Sequence, residues 1–159
     1  MDRIRDLASV LASHEKHTVS GRVRLQKSIM LLQSCGLHTD YGFRLHFRGP
    51  YSEELQADVA LMETYGLVEE RTDDLGRSFE YTLLDDSITR DLGDLTPAVR
   101  AIEQSDVATL ELAATYQAFR QLGETHAQAL QSVREKKARS WSDAREQRAQ
   151  DLLWTLHLL

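Results

Sequence analysis

One cysteine, two prolines and no apolar run long enough to cross a bilayer mark this chain of 159 residues. Each scarcity removes a class of protein. A lone Cys35 cannot close an intramolecular disulfide, and its place at the end of an apolar helical pattern reads as a small buried hydrophobe. Nothing near Met1 has a charged start followed by an apolar signal core, so a cytoplasmic location and no membrane role are expected. Low-complexity tracts and internal repeats are also missing.

The motifs of catalysis are missing too. Gly42, Gly49, Gly66 and Gly76 are scattered turn glycines and build neither a dinucleotide cradle nor a Walker loop. His14 and His17 stand three apart, but no His-Glu-x-x-His pattern or second ligand cluster accompanies them, and His38 and His46 are isolated. The pairs Glu53-Glu54, Glu69-Glu70, Asp73-Asp74 and Asp85-Asp86 are adjacent residues whose side chains point apart on a helix or strand, as solvated surface does. A non-enzymatic protein without metal or cofactor is the expectation.

What is present is the composition of a folded chain, 42% hydrophobic and 28% charged. The length suits one core. The formal net charge of -6 means that any contact with DNA has to be local.

Ile4, Leu7, Val10 and Leu11 recur at helical spacing between about Asp2 and Ser13. The periodicity then lapses to Gly21, with Ser20 a potential cap for a basic helix starting near Arg22 and ending at Gly36. In that helix Leu25, Ile29 and Leu32 make the packed stripe, and Arg22, Arg24 and Lys27 are expected on the exposed side. Phe43, Leu45 and Phe47 alternate with Arg44, His46 and Arg48, the period of a strand with one apolar and one basic face that ends at the Gly49-Pro50 break. Ser52 can cap the next helix, with Leu55, Val59 and Met62 buried and Tyr65-Gly66 its stop. A short strand from Leu67 to Arg71, a turn at residues 73–76, and Phe79, Tyr81 and Leu83 facing inward predict a two-stranded wing.

Beyond an acidic connection at residues 85–96, Pro97 and Asp106 bracket the start of a helical second half. Val107, Leu110, Leu112, Ala114, Tyr116 and Phe119 form an apolar surface wide enough for contact on more than one side, ended by Gly123. Ala127, Leu130 and Val133 give a weaker helix, and Ser140 is the expected cap of a last one running through Trp141, Ala144 and Leu152 to Leu156. Excess apolar surface here and near Trp154 suggests a symmetric dimer contact.

Arg22-Val23-Arg24-Leu25-Gln26-Lys27, Leu31-Leu32-Gln33, Tyr41-Gly42-Phe43-Arg44-Leu45 and Gly49-Pro50-Tyr51-Ser52-Glu53-Glu54-Leu55 together resemble the pattern of the YwgA-like family of bacterial and archaeal proteins. They are more distantly similar to the Panacea domain of SocA-type antitoxins. The likeness extends to Glu111-Leu112-Ala113-Ala114-Thr115 and Lys136-Lys137 in the helical tail. It implies a winged-helix-like core and a regulatory or interaction role, with no catalytic residues to carry over.

The expected fold is mainly α (α+β), a winged-helix-like core at residues 1–84 with a helical extension at 85–159 packed on it. Lys16, Arg22, Arg24, Lys27, Arg44 and Arg48 fall where Asp40 is nearly the only acid. Such density suits phosphates and equally describes an ordinary basic face. Phe43 and Phe47 are assigned to the core and so are unavailable to stack on bases. The helix at the recognition position carries Glu53, Glu54, Asp58 and Glu63 without a lysine or arginine, which a major groove would repel. Contact with double-stranded DNA, if made, is therefore assigned to Arg22, Arg24, Lys27, Arg44, Arg48 and, in the wing, Arg77. Two functions follow: a DNA-binding transcriptional regulator or antitoxin-like protein, or a protein-interaction adaptor that binds no DNA.

Overall fold

The structure is a computed structural model that describes residues 2–159, with the side chains of Ser78 and Phe79 outside the description. Among the described residues it is mainly helical with a small sheet. Helix α1 (Asp2–Ala12) buries Leu7, Val10 and Leu11, and a tight turn leads to the two-residue strand β1 (Thr18–Val19). Helix α2 (Arg22–Ser34) starts from Gly21 at φ 103° with no side-chain cap, so Ser20 does not hold the role its residue type suggested. The left-handed backbone there is one glycine adopts at little cost.

Strands β2 (Arg44–His46) and β3 (Gly49–Tyr51) form an antiparallel hairpin with Leu45 opposite Pro50. This corrects the reading of residues 43–48 as one strand broken at Gly49-Pro50. The chain turns at Phe47-Arg48 instead, and the Gly49-Pro50 pair returns as β3, where a two-stranded ribbon tolerates a proline without an N–H. Phe47 is thereby carried out of the core to the tip of the hairpin.

Ser52 caps α3 (Glu53–Thr64), its hydroxyl accepting from the Leu55 N–H at 3.1 Å, and Leu55, Val59 and Met62 face inward as the spacing predicted. Tyr65 and Gly66, the latter at φ 73°, close the helix, with the Leu67 N–H donating to the Met62 carbonyl. Strands β4 (Val68–Thr72) and β5 (Ser78–Leu83) pair antiparallel, and β1 adds to the far side of β5, giving the order β1-β5-β4. Tyr81 and Leu83 point into the core; the inward position read for Phe79 lies outside the described side chains.

The second half contains α4 (Thr96–Glu103), α5 (Val107–Gln121), α6 (His126–Lys136) and α7 (Asp143–Thr155). Asp106 caps α5 through the Thr109 N–H, and Thr125 and Gln128 form a reciprocal capping box on α6. The cap of α7 is Ser142 rather than Ser140, its hydroxyl accepting from the Arg145 N–H. Helix α5 is the spine. Its buried Leu110, Leu112, Ala113, Ala114, Thr115 and Tyr116 pack against α2 and β3 on one side and α6 and α7 on the other. Leu152, Leu153 and Leu156 of the last helix are buried, whereas Trp154 between them is exposed.

The acidic connection is stitched to α1, Arg90 donating to Asp6 at 2.6 Å through Nε and to the Ser9 hydroxyl through its backbone N–H. No helix among the described residues is long and apolar enough to cross a membrane.

Candidate functional site

The six basic residues do not share one face. Arg22 pairs with Glu70 at 3.3 Å and donates to the Tyr81 hydroxyl, holding α2 against the sheet. Arg24 is half-buried and forks onto the carbonyls of Ile102 at 3.3 Å and Ser105 at 2.6 Å, satisfying acceptors at the end of α4. Arg77 is tied to Asp73 at 2.8 Å in the β4–β5 turn. The side chains of Arg44 and Arg48 make no hydrogen bond or ion pair among the described residues, and both are exposed.

Lys27 is the clearest departure. The expected exposed lysine is 2% accessible, because α2 is buried all round from Leu25 to Leu32. An apolar stripe on one side does not reveal that α5 and β3 cover the opposite side. The Lys27 ammonium donates to the Pro50 carbonyl at 2.7 Å, and one helical position away Gln26 clasps Ser52, accepting from its N–H and donating to its carbonyl. Two neighbours in the basic motif thus fix the hairpin and the start of α3.

Gly49 lies between α5 and Lys27. A Cβ there would stand 2.7 Å from the Thr115 hydroxyl and 3.7 Å from Lys27 Cε, at a φ of +95° that favours glycine in any case. This close approach brings the hairpin against Glu111 and the α6–α7 connection. Lys137, buried in that connection, has its ammonium 3.6 Å from Glu111. Burial, opposed by Glu111 and reinforced by Lys137, Arg48 and Lys136, pulls the Lys27 pKa down to about 8. Lys137 is lowered too, again by burial first, with Glu111 opposing and Lys136 and Arg48 adding to the shift.

In front of these ammoniums opens a cleft of about 580 Å³ between the hairpin and the α6–α7 connection. Arg48, Lys136, Lys137 and Arg139 line it with Phe47, against only Glu111 and Glu135. The side chains of Lys136 and Arg139, like that of Arg48, have no hydrogen bond or ion pair among the described residues. Three open cations backed by two buried ones make this cleft locally positive, in a molecule whose net charge is negative.

Of the residues assigned to phosphate contact, Lys27 and Arg48 therefore meet here, Lys27 as an interior brace. Lys136, Lys137, Arg139, Glu111 and Phe47 carried no site assignment. The one signal for them was the Lys136-Lys137 pair at a helix end, whose partner across the cleft lies some ninety residues earlier. Strand alternation puts Phe47 in the core because the pattern continues past the real end of β2.

Elsewhere the chemistry is quiet. No group of three or more His, Cys, Asp or Glu side chains among the described residues could hold a metal ion. His14 is buried, with Nδ1 bonded to the Val10 carbonyl. Burial pushes the Cys35 thiol up to about 11, which leaves it a poor nucleophile. On α3, Glu54 takes the Gly42 N–H and the Arg3 guanidinium, and Asp58 takes the Tyr41 hydroxyl and Arg3 as well. Part of the acidic face of that helix thus serves the fold. Compared with known proteins, the chain matches no family model and no curated protein to a significant degree.

Proposed function

We propose that this is a non-enzymatic regulatory protein that binds nucleic acid on a winged-helix scaffold, through the cationic cleft and not through α3. Three helices, a third strand added to a β4–β5 hairpin and the order β1-β5-β4 support the winged-helix assignment. The observation that carries the binding face is the cluster of Arg48, Lys136 and Arg139, none of them ion-paired to Glu111 or Glu135 of the same cleft, around an interior that holds Lys137. Helix α3 offers no lysine or arginine, and Arg77 in the wing is engaged by Asp73, so the usual reading surface of such a scaffold repels phosphate here. YwgA-like membership and an antitoxin-like role belong to the same proposal.

A labelled mixed-sequence duplex, titrated at two salt concentrations, tests it. The wild type binds at low salt and weakens as salt rises, while Arg48→Glu combined with Lys136→Glu abolishes binding with an unchanged circular dichroism spectrum. No wild-type binding at low salt to the duplex or to either of its separated strands favours the adaptor reading. That alternative has its own support in an apolar groove lined by Ile4, Leu61, Met62, Tyr65, Leu67 and Ile88, in which Tyr65 is largely exposed.

A further inference from the structure

Phosphate binding alone leaves Phe47 without a reason. It is 94% accessible, the most exposed of the large apolar side chains in the described residues, and it lines the same cleft as Arg48, Lys136 and Arg139. Hairpin turns favour asparagine, aspartate and glycine, so turn chemistry does not ask for a phenylalanine either. The hairpin beneath it is braced by an edge-on contact between His46 and Tyr51, ring centres 5.6 Å apart, and by Gly49 against Thr115. The ring is thus presented to solvent from a fixed support.

The interior of the cleft points to an anion. Lys137 is 8% accessible, and its one carboxylate partner, Glu111, lies at 3.6 Å and also acts on Lys27. Two poorly hydrated ammoniums share one carboxylate, and a phosphate at the cleft would supply the missing negative charge. A volume of about 580 Å³ lies within the range of small-ligand sites. An aromatic ring beside a cationic groove binds bases by their faces, and a base presents its face only when it is out of a duplex stack.

We propose that the cleft takes an unpaired nucleotide, its base stacked on Phe47 and its phosphate held by Arg48, Lys136 and Lys137. This rests on the nucleic-acid reading of the face and narrows it to single-stranded substrate. Stacking is tolerant of sequence, so the preference is for unpaired strand over duplex and not for one base.

Fluorescence anisotropy with a short labelled oligothymidylate, the same strand annealed to its complement, and free thymidine monophosphate as competitor tests the inference. The single strand binds more tightly than the duplex. Phe47→Ala weakens the single strand about tenfold or more, Phe47→Trp retains it, and both leave the duplex nearly unaffected. Lys136→Glu weakens both forms. Displacement by the free nucleotide assigns the site to a nucleotide ligand; its absence, with tight strand binding, assigns it to the chain. Unchanged single-strand affinity in Phe47→Ala, or tighter binding of the duplex, overturns the inference and leaves the reading of the face intact. No binding of either form at low salt overturns both.

Discussion

The ammonium of Lys27 donates to the carbonyl oxygen of Pro50 at 2.7 Å, so a lysine in the middle of α2 fastens the hairpin that lies 23 residues further along. Because that lysine is buried, its proton is held less tightly in the folded chain, at about 8 against 10.5. Below about pH 8 both states keep the proton and the cost of the buried charge is fully present. Between about pH 8 and 10.5 the unfolded chain binds more protons, so stability rises with pH across that window. Urea unfolding of the wild type and Lys27→Met at about pH 7 and pH 9.5 reads it: the rise shrinks in the variant, while in both proteins Lys137, shifted the same way, adds to it and the Cys35 thiol, pushed up to about 11, opposes it above about pH 9. Equal rises in the two proteins would remove Lys27 as the source.

Gly49→Ala combines a strained backbone with a collision. The φ of +95° and the 2.7 Å approach to the Thr115 hydroxyl both oppose a Cβ. A loss of about 1–3 kcal/mol is expected from the backbone alone, with more from the clash. In a Thr115→Ala background the clash is relieved and the backbone cost stays, so a double-mutant cycle gives favourable coupling between the two substitutions. Additive losses would show that the hairpin yields freely.

Gln26→Leu leaves the N–H and the carbonyl of buried Ser52 without their side-chain partner. The Ser52 carbonyl keeps the Gln56 N–H at 3.3 Å, so the Ser52 N–H is the group left unpaired; at about 1–3 kcal/mol for it, with the lost bond to the carbonyl added, the loss exceeds that of Ser52→Ala, which forfeits one helix cap worth about 1 kcal/mol. Thermal or urea unfolding of the two variants gives the order, and the reverse order contradicts it.

Much of the fold could be read from local pattern. The stripes of α1 and α3, the Ser52 and Asp106 caps and the β4–β5 pair follow from periods of a few residues, which the chain prints wherever one face meets a core. Lys27 and Phe47 depart from that pattern for two reasons: Lys27 is covered by α5, which arrives some eighty residues later, and Phe47 is exposed because β2 ends at His46 and the chain turns. A lysine on a helix reads as solvated until something covers it, and an alternating phenylalanine reads as buried until the strand stops short. The cleft itself joins Arg48 to Lys136–Arg139, a juxtaposition that no local period encodes.

Arg24 and Arg48 looked equivalent as charges and differ as parts. Reversing Arg24 removes the side-chain donor of the Ser105 carbonyl and one of the donors of the Ile102 carbonyl and sets a carboxylate beside Asp106 and Glu103, so Arg24→Glu lowers the melting temperature. Its effect on nucleic-acid binding is small while the protein is folded. Arg48→Glu, on an exposed side chain that repels the buried Lys27 and Lys137 ammoniums, does not lower the melting temperature and reduces binding, with the slope of log affinity against log salt falling by about 0.7–0.9 for the lost phosphate contact. Calorimetry and anisotropy on both variants separate the roles, and matching profiles would merge them.

The enclosure of α2 by α5 also dictates an order of events during synthesis. Leu25 to Leu32 leave the ribosome well before the alanine-rich face of α5 that covers them, an interval on the order of ten seconds at ordinary elongation rates. Throughout that interval the nascent chain carries an apolar helix with one side unprotected. A chaperone that captures exposed leucines would meet its best target there, and truncation before Val107 would make that temporary state permanent.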